Sequence, residues 1–225
     1  MPEPGALLAV CRVHALKPDA GPAGVTAIDK RPAGGPVKVT KLGLRADVQA
    51  DRRHHGGELQ ALYAYADQDA RWWAEELGRQ IPAGLFGENL RTSGVDVNGA
   101  VIGERWRIGA QVVVEVTSAR IPCGTFARHL HEPQWVRRFT AAGRPGAYLQ
   151  VLETGEIRSG DGIEIVHRPR HPVTVAQFFA GLDKAGAAAL RAAGDAGEVS
   201  LAPRVRAAVA RVTRAVSPRD ATAAG

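Results

Sequence analysis

Through the first 168 residues the apolar positions fall in short runs, each closed by Gly, Pro or Asp, a pattern that predicts many strands joined by tight turns. The candidate strands are Leu7 to Val13, Pro36 to Thr40, Trp106 to Ile108, Gln111 to Ser118, Ala147 to Leu152 and Gly162 to His167. In Gln111 to Ser118, Val112, Val114 and Val116 share one face, and Val113 interrupts the polar face of Gln111, Glu115 and Thr117, so this strand is predicted to be covered on most of both sides. One helix is predicted in this part. Asp67 can cap its start, Asp69 suits its positive end, Trp73 and Leu77 lie one turn apart, and Gly78 can stop it. After Pro169 the texture changes: 17 of the last 57 residues are Ala, and Val175 to Leu182 and Val205 to Val216 read as short helices. Arg204, Arg211 and Arg214 leave Val205, Val209, Val212 and Val216 as an apolar stripe. The main domain or a second subunit in a homodimer could cover it. The pattern predicts an α+β, β-rich chain, with a barrel-like domain over residues 1–168 and a short Ala-rich helical appendage over 169–225.

Composition narrows the function classes. With 225 residues, 45% of them hydrophobic, the chain has material for one main core and none for a second enzyme domain. The net charge of +6 invites a nucleic-acid reading, but four of the six excess positive charges lie in residues 169–225 and aromatics make up only 5%, so nucleic acid is not an expected partner. Apolar runs such as Ala6 to Val10 are far shorter than the roughly 18 residues of a bilayer span, and acidic Glu3 precedes that run, so neither membrane anchor nor signal peptide is expected. Two cysteines without CxxC spacing suit a reducing, cytoplasmic setting.

Four segments carry candidate chemistry. Cys123 lies in Arg120-Ile121-Pro122-Cys123-Gly124, where an arginine and a Pro/Gly-shaped loop suit a thiolate that attacks or binds a soft metal; a buried structural cysteine is the plainer alternative. Cys11, inside an apolar strand, reads as core. His54-His55-Gly56-Gly57 offers an imidazole and close backbone amides to a ligand, or is a turn with surface histidines. In Phe86-Gly87-Glu88-Asn89-Leu90, Glu88 and Asn89 could read the donors and acceptors of a heterocycle. Lys30-Arg31, ahead of Pro32, Gly34 and Gly35, is expected on a loop, fit for phosphate or for plain solvation. His129 and His131 with Cys123 match no closed zinc site, and GxGxxG after a strand and GxxxxGK[ST] are both absent.

Taken in order, Lys30-Arg31-Pro32, Gly43-Leu44 with Asp47 and Gln49-Ala50-Asp51, His55-Gly56-Gly57 with Tyr63-Ala64-Tyr65, Phe86-Gly87-Glu88-Asn89-Leu90, Ile102-Gly103-Glu104 and Arg120-Ile121-Pro122-Cys123 resemble the MOSC domain family. The name comes from the C-terminal domain of molybdenum cofactor sulfurase. The resemblance spans roughly Leu7 to Pro169 and is to the stand-alone bacterial branch implicated in reducing N-hydroxylated bases. It implies a closed β-barrel-like domain that holds the pterin-based molybdenum cofactor, with one cysteine as the protein's ligand to the metal. Carried over by position, Cys123 is that ligand and the catalytic residue. Lys30, Arg31 and Arg120 become candidates for the cofactor's phosphate and pterin edge, and His55 and Asn89 would line the same pocket.

The implied function is a cytoplasmic oxidoreductase that removes the oxygen of an N-hydroxylated compound such as a hydroxylaminopurine. Its electrons come from an external reductase, because the chain shows no flavin, nicotinamide or iron-sulfur signature. The rival is a cofactor or sulfur carrier in which Cys123 holds a persulfide and nothing is turned over. Two departures from the family pattern stand out. Ala46-Asp47 replaces the frequent Gly-Asp, and Thr125 stands where a basic residue usually follows the cysteine by two positions.

Overall fold

The computed structural model describes residues 4–49 and 56–214. Its strands are β1 (Gly5–Pro18), β2 (Val25–Pro32), β3 (Val37–Thr40), β4 (Gly43–Leu44), β5 (Leu62–Ala66), β6 (Leu90–Ser93), β7 (Arg105–Ile108), β8 (Val112–Ala119), β9 (Ala147–Glu153), β10 (Gly155–Ile157) and β11 (Gly162–His167). The helices are α1 (Asp67–Leu77), α2 (Gly124–Leu130), α3 (Trp135–Ala142), α4 (Val175–Ala180), α5 (Lys184–Asp195) and α6 (Pro203–Arg214). Seven strands close a mixed barrel in the order β1-β6-β5-β9-β8-β7-β11, and β11 returns to β1 through Gly5 opposite Ile163. Only β5 and β6 pair in parallel within it. The 14-residue β1 is long enough to serve twice: its first half belongs to the barrel, and its second half pairs with β2 in a hairpin that projects from the wall.

The Val/Ile pattern marked six of these strands. It missed the short β4, β6 and β10, as well as β2, whose second half is charged, and β5, whose Leu-Tyr-Ala-Tyr-Ala lacks β-branched residues although every position is buried. The eight residues of β8 are all buried, in keeping with the broken alternation at Val113. Helix α1 ends at Gly78 in the left-handed conformation as its sequence predicts, but Asp67 is not the cap. It is the first helical residue, and its carboxylate pairs with Arg71 and Arg91.

Two apolar clusters hold the chain together. One fills the barrel and extends to the helices after Pro169: Val173, Val175, Leu190, Val205 and Val209 share it with Ile102, Val112 and Val114. Within the expected stripe the chain itself thus covers Val205 and Val209, Val212 is half-buried, and Val216 lies outside the described residues. The other cluster is aromatic and takes in ten of the twelve Phe, Trp and Tyr residues, so the scarcity of rings in the composition hides their concentration beside α1, α2 and α3. Phe86 is its hub, with ring centroids of Tyr65, Phe126 and Trp135 at 5.1, 5.3 and 5.6 Å. Such ring pairs add roughly 0.5–1.5 kcal/mol each beyond the area they bury. No described helix is long and apolar enough to cross a membrane.

Ala46 has φ 63°, the left-handed region that costs a residue with a Cβ about 1–2 kcal/mol, and its side chain is exposed and packs on nothing that would be lost. Ala46→Gly is therefore expected to raise stability by up to about 1 kcal/mol after the extra unfolded-state entropy of glycine is subtracted. Urea unfolding checks this, and a less stable variant would mean that the turn is not strained.

Candidate functional site

Strand β8 delivers Arg120 and Cys123 to one end of the barrel. Pro122 cannot extend the ladder, and Cys123 follows with extended backbone (φ −131°, ψ 171°) immediately ahead of α2. Its half-buried side chain borders a cavity of about 620 Å³. Arg120 lies deeper, only 6% exposed, with Nη1 donating to the Phe86 carbonyl at 2.9 Å. Its guanidinium sits over Phe126 at 3.7 Å and Tyr63 at 5.1 Å from the ring centroids. No carboxylate pairs with it among the described residues. Burial works against its charge but is outweighed by Tyr63, Tyr148 and Cys123, so its pKa is raised. Tyr63 and Tyr148 are pushed up in turn, chiefly by burial, and stay protonated at neutral pH.

The β1–β2 hairpin forms the facing wall. Lys30 and Arg31 sit on β2, not on a loop, and this corrects the reading of them as a pair. Successive side chains on a strand point to opposite faces, so Lys30, like Ile28, borders the Cys123 cavity, whereas Arg31 opens only into a second cavity of about 720 Å³ beside it. Lys30 is paired with the buried carboxylate of Asp47. Asp47 also accepts from the Val13 amide at 2.8 Å and from Asn89 Nδ2 at 2.8 Å. Asn89 borders the cavity too, but its amide is committed to the frame: Nδ2 also donates to the Cys11 carbonyl, and Oδ1 accepts from the Tyr63 amide.

The hairpin tip is clamped to α2. Asp19 accepts from Arg128 Nε at 2.9 Å and Nη2 at 2.7 Å, from the Thr125 hydroxyl at 2.9 Å and from the Gly21 amide at 2.9 Å. Thr125, two positions past Cys123, is thus a partner of this clamp. Arg128, one turn further along α2, brings a positive charge to the cavity wall instead.

Lys30, Asn89, Arg120 and Cys123 therefore share one cavity, and Arg31 lies next to it. His55 lies outside the described residues. Glu88 is not available to read a ligand: it is fully buried, accepts from the Gly84 and Phe86 amides and is paired with Arg91. Cys11 is fully buried, and burial first, with Glu88 next, pushes its thiol up to about 12. His129 and His131 border the second cavity; burial, then Lys17, lowers the pKa of His129. Sequence reasoning missed Asp19, Gln60, Tyr148 and Arg128 as wall residues. A reading of Thr125 and Arg128 as one helical face would have found the last of these.

A family model described as the MOSC domain matches residues 51–164, just over half of the chain. The chain is 32% identical over 150 residues to the uncharacterized protein YflK of Bacillus subtilis, covering 67% of each, and 31% identical over 146 residues to protein YiiM of Escherichia coli, covering 64% of this chain and 65% of that one. A protein of Gibberella moniliformis named reductase is 33% identical over 171 residues. That match takes in 75% of this chain but only 30% of the fungal protein. The crystal structure of YiiM from Geobacillus stearothermophilus superposes with a TM-score of 0.72 at 25% identity, over 93% of this chain and 99% of that one.

The clamp makes the site sensitive to acid in one direction. Arg128 first, with Thr125 and the Gly21 amide, holds the Asp19 carboxyl well below the usual carboxylate range. A carboxyl with a depressed folded-state pKa stabilises fully above its unfolded value of about 3.9 and loses that contribution as pH falls toward the folded value. Melting temperatures of wild type and Asp19→Asn are expected to differ by a constant amount between about pH 5 and 7 and to converge below about pH 4. A gap that widens on acidification would contradict the clamp.

Proposed function

The chain belongs to the MOSC domain family, and from that premise we propose that it is a molybdenum-cofactor oxidoreductase that removes oxygen from N-hydroxylated compounds, with Cys123 as the protein's ligand to the metal. The observation that carries this reading is Arg120, a buried guanidinium beside Cys123 with no carboxylate partner among the described residues. A buried guanidinium met by a carbonyl, ring faces and a thiol but by no carboxylate lacks a full countercharge, so the cavity it borders suits an anionic occupant.

The other donors fit the same kind of group. Gln60 Oε1 is buried without a hydrogen-bond partner among the described residues and could accept from a heterocycle N–H. Lys30 and Arg128 add positive charge at the wall, and Tyr63 and Tyr148 offer ring surface. No described cluster of three His, Cys, Asp or Glu could bind a bare metal ion, so a metal held by one thiol has to bring its remaining ligands with it, as the metal of an organic cofactor does. The fungal relative named reductase supports a redox role.

When bound, such a cofactor supplies two-electron oxygen-atom transfer. The chain's own residues anchor and orient it. Cys123 offers the thiolate, and Arg120 and Arg128 hold negative charge next to that sulfur. Tyr148, kept protonated by burial, borders the same cavity and offers its hydroxyl as a hydrogen-bond donor. The net reaction takes R–NHOH, two electrons and two protons to R–NH2 and water, and an external reductase supplies the electrons.

Molybdenum per chain, measured on protein made in a cofactor-competent host, tests the reading. Cys123→Ser is expected to lose the metal and Cys11→Ala to keep it. Arg120→Met should retain the cofactor roughly ten- to a hundredfold less well, as expected for one charge-assisted bond of about 1.5–3 kcal/mol. Metal retained in Cys123→Ser would overturn the assignment. Sulfide released by a thiol reductant with no N-reduction would point to the carrier instead.

A further inference from the structure

The second cavity shares Asp19, Thr26, Lys30, Thr125 and Arg128 with the first, so the two are adjoining compartments with a common wall. Their chemistry differs. The first has Tyr63, Tyr148 and Ile28 along its sides, whereas the second is bordered by Lys17, Arg31, Arg128, His129 and His131. In each ion pair that is specific to its rim the acid is sunk and the base stands out: Lys17 is 49% exposed and Arg31 60%, against 11% for their shared partner Asp29. Arg128 at 44% over Asp19 at 8% repeats the arrangement on the common wall. The carboxylates thus act as buried anchors, and the charged groups that a ligand meets, set among Pro18, Pro82 and Leu85, are cationic. Arg31 is held to Asp29 only at 3.7 Å, too long for a hydrogen bond, and its planar fork of donors makes no hydrogen bond to the described residues.

We propose that the second cavity is a phosphate subsite, and that the physiological substrate is an N-hydroxylated nucleotide, its phosphate against Arg31 and Lys17 and its base reaching across the common wall toward the cofactor seated in the first cavity. The proposal rests on the reading above for what fills the first cavity. A guanidinium with uncommitted donors matches a phosphate in bidentate geometry, and a lysine beside it adds a second charge. A free base would leave the donors of Arg31 facing solvent. An anionic group there could also come from the cofactor's own phosphate, and binding to metal-loaded protein separates the two sources.

Calorimetric titration of molybdenum-loaded protein with adenosine 5′-monophosphate, adenosine and inorganic phosphate is the test. The monophosphate is expected to bind at least about tenfold more tightly than adenosine, and Arg31→Gln to cut that advantage to about twofold without moving the adenosine affinity. Inorganic phosphate should compete with the monophosphate and not with adenosine. Equal affinities for nucleotide and nucleoside overturn the proposal, as does an unchanged advantage in Arg31→Gln. An advantage seen only in metal-free protein also overturns it, since the anion site then belongs to the cofactor. Protein that never acquires molybdenum sinks the redox reading instead; no cofactor then competes for the anion site, so in that protein a nucleotide advantage lost in Arg31→Gln still supports the phosphate subsite and equal affinities still overturn it.

Discussion

A guanidinium sealed beneath the protein surface has to be compensated, and the architecture around Arg120 is organised by that requirement. The residue stands just past the end of β8, where the barrel fixes its position, and five groups meet its charge: the Phe86 carbonyl, the faces of Phe126 and Tyr63, Tyr148 and the sulfur of Cys123. Phe86 links this site to the aromatic cluster, because its ring is the hub of that cluster while its carbonyl accepts from Arg120. Glu88 in turn braces the Phe86 loop by accepting from the Gly84 and Phe86 amides. Aromatic packing and site electrostatics are therefore one construction. Loosening the rings would move the carbonyl that steadies the charge beside the thiol.

The opposite wall follows from a different constraint, the two-residue period of a strand. Because β2 alternates its faces, Lys30 stands on the wall common to both compartments while Arg31 borders the second alone, and a single register places Lys30 over Asp47 and leaves Arg31 over Asp29. Asp47 joins the β1 backbone, Lys30 and Asn89 into one buried node, so the residue that borders the cavity as a cation is also tied into the frame. The Asp19 clamp then fixes the far end of the hairpin to α2, and the cavity is closed between two anchored elements.

How much of this was legible depended on whether a residue's signal was local. The Val- and Ile-rich strands could be read because their burial is written in their own composition, and Gly78 announced the end of α1. Strand β5 could not, since alanines and tyrosines become a fully buried strand only once neighbours exist on both sides. Cys123, Arg120 and Asn89 were legible as parts of ordered motifs, yet the motif did not reveal that Asn89 spends its amide on the frame. Lys30 and Arg31 were misread as a loop pair because Pro32, Gly34 and Gly35 follow them, whereas the strand runs up to Pro32. Arg128 was hidden because its role depends on Asp19, which lies 109 positions away.

The central claim, that the charge of Arg120 and the thiol of Cys123 together make a seat for a metal carried by an anionic organic cofactor, is tested most directly by diffraction at the molybdenum absorption edge. Crystals of protein produced in a cofactor-competent host are expected to show one anomalous peak in the Cys123 cavity, within bonding distance of its Sγ, with the cofactor's anionic groups on the Arg120 side. A peak bonded to other protein groups, or a cofactor seated with Arg120 facing no negative charge, would contradict the account.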